Sequence, residues 1–459
     1  MTPKNTHPLF SRFRSTIALL ALLIALVGCA AITGAEQDSG PPDSLVDAVY
    51  RGNVDSVRAM LENGNSPAVY GERHWYPLHY AANAKDQGQR TNDLEIARLL
   101  IEAGADLEVT TEVGFTPLHR AVANERSELR EYFLDIGAGV NTELDDGWTP
   151  LLSAIDLGDA DAVKSLLAED ADARLMFSGL CPLHYAAQRD PDGDRGSDAD
   201  IVRMLAETDV RIDCQGSDKE TALYIATQND RMEVMKALLE AGANTELLTD
   251  TWWSPLGLAI YQGDIEEVEL LLAHGADLQG SSVDGWRAMH HTVNRLDQGN
   301  RDNDSAIADL LLEAGASVND RTVRGKTVLH QAVSNSRHDR VEELIGQNAE
   351  LNTNNDYGHT PLMTAIGMGD VDMVRILLET GADPDRRMPS LGWTSLHHIA
   401  HYHGDTPADD RDITRLLIEH GADVDARSGS DHTPVMTMTW NDREDLAELL
   451  IEAGAQPVE

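Results

Sequence analysis

This sequence of 459 residues predicts an all-α solenoid of about twelve stacked helix pairs, on three observations. A helix-start position recurs eleven times, at Tyr76, Thr116, Thr149, Cys181, Thr221, Ser254, Arg287, Thr327, Thr360, Thr394 and Thr433, most often 32–34 residues apart. Two short apolar stripes at helical spacing follow each start, and neither is long enough to be a stable helix by itself. A glycine after the second stripe is placed to end it in a left-handed conformation. Such a unit can bury its apolar face only against a neighbouring copy, so the copies must stack.

Residues 356–385 carry the pattern in its clearest form. The Thr360 hydroxyl can cap a helix, and Pro361 suits the first turn, where no N–H is needed. Leu362, Ala365 and Ile366 form the first stripe, and Gly369 ends it. Asp370 caps a second helix, striped by Val371, Val374, Leu377 and Leu378, with Gly381 as its terminator. The run Thr116-Pro117-Leu118-His119, with variants at Tyr76–His79, Cys181–His184, Thr327–His330 and Thr394–His397, resembles the Thr-Pro-Leu-His core of the ankyrin repeat. A closing Ala-Gly-Ala at 103–105, 241–243, 314–316 and 453–455 extends that resemblance from about residue 43 to the C-terminus. It implies helix-turn-helix repeats joined by β-turn fingers. It also implies that His79, His119, His184, His290, His330 and His397 tie neighbouring loops together through their imidazoles.

The first 28 residues stand outside that pattern. Lys4, Arg12 and Arg14 precede an unbroken apolar run from Ile17 to Val27. Eleven residues fall short of the about 20 that span a bilayer, but suit a secretory signal. Leu26-Val27-Gly28-Cys29 resembles a bacterial lipobox, which implies cleavage before Cys29 and acylation of that residue (a palmitate-type anchor). Ala30, rather than Asp, after the cysteine leans towards the outer membrane. Residues 29–43, rich in Gly, Ser, Asp and Pro, read as the lipidated Cys and a flexible tether. Residues 44–459 read as one repeat domain, opened by a more polar capping pair at Ser44–Gly52 and Asp55–Gly64.

A second period overlies the first. Long repeats begin at Tyr76, Cys181, Arg287 and Thr394, separated by 105, 106 and 107 residues. Their inserts, Lys85–Asn92, Arg189–Ser197, Leu296–Asn303 and His403–Asp409, lie between the two helices and lead to Asp93, Asp198, Asp304 and Asp410. Duplication of a three-repeat block is the simplest account. Asp190, Asp192 and Asp194 invite a calcium reading, but no insert matches the twelve-residue calcium loop with its closing Glu.

The formal charge is −42, with 36 basic against 78 acidic residues, and only six of the basic residues are Lys. A nucleic-acid binder would carry a basic patch, so that class is disfavoured. A saline habitat or a basic partner each accounts for the acidity. His397, His398, His401 and His403 offer an i, i+4 imidazole pair that could hold a transition metal, but His397 belongs to the packing motif and no Glu or Cys stands nearby. No metal or other cofactor is expected. Cys181 and Cys214 lie in one repeat, and two buried free thiols are preferred over a bridge. No nucleophile elbow, phosphate loop or HExxH run is present, so no catalysis is expected.

Five of the seven tryptophans, Trp75, Trp148, Trp253, Trp286 and Trp393, directly precede the helix-start position, with Phe115 there in another repeat. The resemblance places that position on the concave binding face, with Tyr261, Tyr402 and Trp440 facing the same groove. These nine residues are the candidate partner-binding set. The alternative is that the rings only stiffen the fingers. The sequence therefore points to a monomeric, lipid-anchored, periplasm-facing protein-binding scaffold with a protein partner, a basic one suiting the charge. Two other readings stay open: an inhibitor or immunity protein neutralising one enzyme or toxin, and a metal-binding protein or enzyme using His397–His403.

Overall fold

The computed structural model describes residues 43–71, 74–83, 92–188, 198–280, 284–293, 303–401 and 407–457. Cys29 and its flanking segment, most of each insert, Tyr402 and His403 lie outside these residues. Among the described residues the architecture is all-helical: twenty-four helices fall into twelve antiparallel pairs. None is long and apolar enough to cross a membrane.

The local signals act as their chemistry demands. Thr360 Oγ1 accepts the Met363 N–H, Pro361 opens the helix Pro361–Met368, and Gly369 closes it at φ 69°. Asp370 then accepts the Met373 N–H and starts Val371–Glu379. Leu362, Ala365, Ile366, Val374, Leu377 and Leu378 are buried, and Met373 joins them while Val371 is only half-covered. Deleting such a cap costs about 1 kcal/mol, a large fraction of what one short helix contributes.

The chain divides into two compact units, one ending at Asp172 and one beginning at Ala173. The first holds the capping pair Leu45–Tyr50 and Val54–Glu62 and the repeats that start at Tyr76, Thr116 and Thr149. The second holds the eight repeats from Cys181 to Thr433. Where the sequence reading keeps 44–459 as one domain, the division thus falls at the start of a long repeat, between two three-repeat blocks.

Each finger closes on the residue just before the helix start. The carbonyls of Trp75, Phe115, Trp148, Trp253, Lys326, His359, Trp393 and His432 each accept a backbone N–H from across their own turn. The residue two before the start has positive φ in all eleven fingers: it is Gly at 114, 147, 179, 285, 325, 358 and 392, and His74, Lys219, Trp252 and Asp431 elsewhere. Within the second unit successive fingers are joined by backbone bonds, among them Val323 N–H to Asp284 O at 2.9 Å and Gly429 N–H to Leu391 O at 2.8 Å. A Cβ on Gly392 would lie 2.6 Å from the Gly429 nitrogen, so that close approach requires glycine as much as the turn does.

Candidate functional site

The histidine at the fourth position of the motif fixes where the aromatic row can point. At His79, His184, His290, His330 and His397 the Nδ1 accepts a backbone N–H from the helix-start residue, at 3.1–3.3 Å. Nδ1 is therefore the acceptor, the proton sits on Nε2, and Nε2–H donates onward to the next finger. The acceptors are Phe115 O at 2.8 Å, Glu220 O at 2.9 Å, Lys326 O at 3.3 Å, His359 O at 3.0 Å and His432 O at 2.9 Å. Burial holds the pKa of His79, His119, His290 and His330 down to about 4.

The residue before each helix start is thus anchored by its backbone, and the fold leaves its side chain variable. In the first unit Phe115 and Trp148 are buried and Trp75 is half-buried. The Arg120 guanidinium lies 4.5 Å from the Trp75 ring centre and 4.0 Å from that of Phe115, and Arg120 is only 5% exposed. The cation that those two rings could take from a partner is supplied from within the fold. Trp148 Nε1–H donates to Ser153 Oγ at 2.7 Å.

In the second unit Trp253, Trp286 and Trp393 are half-buried, and each has a ring beside it. Trp253 packs 5.3 Å from Tyr261 and 5.1 Å from His291, which also lies 5.6 Å from Trp286. Trp393 meets His401 at 5.4 Å, and Trp440 meets His432 edge-on at 4.4 Å. Trp440 remains 61% exposed. Arg120, His291 and His398 all stand four residues after a helix start, a register the sequence reading does not use. His401 stands seven residues after Thr394, as Tyr261 does after Ser254.

Trp252 is a further ring that the repeat pattern does not single out. It is 51% exposed and occupies the left-handed finger position at φ 65°, where most repeats use glycine. A left-handed backbone costs a non-glycine residue about 1–2 kcal/mol.

In the histidine cluster a metal would have to displace a bond that the repeat already uses. His397 is engaged at both ring nitrogens, by Thr394 and by the His432 carbonyl. His398 is buried against His359, ring centres 4.8 Å apart. Asp230, Asp264 and Glu267 bring carboxylate oxygens within 4.8 Å of one another, but Asp264 is already a helix cap.

The preference for free thiols is overturned: Cys181 and Cys214 are joined in a disulfide, with Cα atoms 6.5 Å apart. The stacking of the second finger on the first brings the two within bonding reach, which spacing along the chain does not reveal.

The aspartates that follow the inserts have partners too. Asp93, Asp198, Asp304 and Asp410 each pair with an arginine 33 residues on: Arg126, Arg231, Arg337 at 3.0 Å and Arg443 at 2.6 Å. Both members of the Asp304–Arg337 and Asp410–Arg443 pairs are nearly excluded from solvent.

Comparison with known proteins agrees with this geometry. The model described as ankyrin repeats (3 copies) matches residues 45–143, 123–206, 161–249, 193–281 and 298–388, and that of the single ankyrin repeat matches 391–429. The ankyrin repeat and KH domain-containing protein mask-1 of Caenorhabditis elegans is 31% identical over 361 residues, covering 77% of this chain and 12% of that protein. Transient receptor potential cation channel subfamily A member 1 of Homo sapiens is 25% identical over 329 residues, covering 61% of this chain and 28% of the channel. An ankyrin repeat domain from Acinetobacter baumannii AYE aligns with a TM-score of 0.40 at 23% identity, over 44% of this chain and 98% of that structure. The chain thus spans less than a third of the curated relatives named here. With family matches over most of its length, and with its capped helix pairs and finger-tying histidines, this chain belongs to the ankyrin-repeat family.

Proposed function

We propose that this chain is a lipid-anchored, non-catalytic scaffold on the periplasmic side of a bacterial outer membrane, where it grips a basic protein segment with the aromatic residues of its second unit. The ankyrin fold is typically a binding scaffold, and the family match supports a protein partner. The observation that carries the reading is the set of pre-positioned rings. Trp253, Trp393 and Trp440 each pack against at least one ring and keep some surface exposed. Rings already fixed lose little freedom on binding, and Trp is favoured at interaction hot spots.

Charge decides the kind of partner. A surface carrying 78 acidic against 36 basic residues draws cations, and Arg or Lys over a Trp face gains about 0.5–2 kcal/mol. The disulfide supports an oxidising compartment. Cys29, at the end of the lipobox-like run, supplies the anchor, since a chain pair holds stably where one would be marginal.

The test has two arms. Cross-linking in intact cells identifies the partner, and affinity is then measured for Trp440→Ala. Removing this exposed ring should weaken binding by about 2 kcal/mol, roughly 30-fold, with little change in melting temperature. Unchanged affinity in a folded variant would sink the binding assignment. Cys29→Ser should release the protein or leave the precursor uncut. A variant that fractionates with membranes at the wild-type mature mass would refute the anchor.

A further inference from the structure

One repeat carries a cysteine at its helix start. Cys181 replaces the usual Thr, and Cys214 enters at the base of the following finger. Beside them is His184, the histidine of the same motif. A ligand atom from each of Cys181, His184 and Cys214 lies within 4.8 Å of the others, and all three residues are buried.

The histidine is already oriented as metal ligands usually are. Its Nε2–H donates to the Glu220 carbonyl at 2.9 Å, which leaves Nδ1 with the lone pair. Nδ1 faces Cys181, whose backbone N–H it accepts at 3.1 Å. An imidazole ligand whose other nitrogen donates to a backbone carbonyl is held in one tautomer and made more basic. Two thiolates and one imidazole form a soft donor set suited to zinc, with a fourth position left for water.

We propose that Cys181, His184 and Cys214 form a redox-gated metal site, closed as the disulfide and binding Zn²⁺ when reduced. A dithiol reductant supplies two electrons and two protons to the S–S bond, giving two thiols and its own cyclic disulfide. Zn²⁺ then displaces both thiol protons to make two Zn–S bonds, and His184 Nδ1 exchanges the Cys181 N–H for the metal. Because both sulfurs are buried, the reductant acts through local opening of this finger pair. The site would mark exposure to a reducing dithiol, a role distinct from partner binding and independent of it.

Cobalt(II) is the probe, because its thiolate charge-transfer and visible bands report ligands directly. The full chain with Cys29→Ser leaves two cysteines, and it is compared oxidised and after dithiothreitol reduction and anaerobic desalting. The reduced protein should take up one equivalent of Co²⁺ with thiolate bands, and the oxidised protein none. Cys214→Ser should lose the bands, and His184→Gln should weaken uptake at least about tenfold while helical circular dichroism persists. Three outcomes would overturn the proposal: no thiolate bands in reduced, folded protein; equal uptake by Cys181→Ser/Cys214→Ser; or a reduced chain that unfolds and is not restored by Co²⁺ or Zn²⁺.

Discussion

Replacing His291 by Phe should flatten the acid sensitivity of the second unit, and the size of the effect can be worked from its surroundings. His291 is buried between Trp253 and Trp286, and this burial pushes its pKa down from 6.5 to about 3. Its folded value is depressed, so the neutral ring is the form the fold accepts. Its contribution is intact above the unfolded value of about 6.5 and is lost as pH falls from there towards 3. At pH 5 the unfolded chain has gained about 1.5 pH units of proton binding that the fold refuses, a loss of about 2 kcal/mol from this one ring. Phe keeps an aromatic ring in the slot and cannot titrate. Urea unfolding of both proteins at pH 7 and pH 5 measures the difference, and subtracting one protein's pH change from the other's cancels the titration of the groups they share. His291→Phe should retain about 2 kcal/mol more of its pH 7 stability at pH 5 than the wild type does. Parallel pH profiles for the two proteins would refute the reasoning, because they would mean that the ring is protonated in the folded state.

Two further outcomes follow from the ion pairs and the fingers. Arg337→Met should destabilise by about 3–5 kcal/mol because it strands Asp304 in the interior, whereas the double variant with Asp304→Asn should recover most of that loss; additive losses in a double-mutant cycle would argue against a coupled pair. Trp252→Gly should raise stability by about 1–2 kcal/mol through relief of the left-handed backbone, read as a higher midpoint in urea. An unchanged or lower midpoint would show that the exposed indole makes stabilising contacts that outweigh the turn.

The sequence exposes some parts of the candidate site and hides others for a physical reason. Thr360, Pro361, Gly369 and Asp370 act on groups within four residues of themselves, so their roles follow from local chemistry. The aromatic row is legible because its members share one position in the repeat. What covers five of these rings is the residue four beyond the helix start in the same repeat or the next: Arg120 over Trp75 and Phe115, Ser153 beside Trp148, His291 beside Trp253 and Trp286. A motif comparison that treats this position as variable passes over it.

By itself the sequence determined the repeat, its caps, its period and the family, since all of these are written in short-range spacing that recurs along the chain. The tertiary structure alone decided three things: which arginine meets each post-insert aspartate, that Cys181 and Cys214 bond, and how much of each tryptophan is left to solvent. In the first two, residues 33 positions apart meet only when one repeat is laid on the next. The register of that stacking is set by the finger bonds and the histidine bridges between repeats, and no single repeat contains that information.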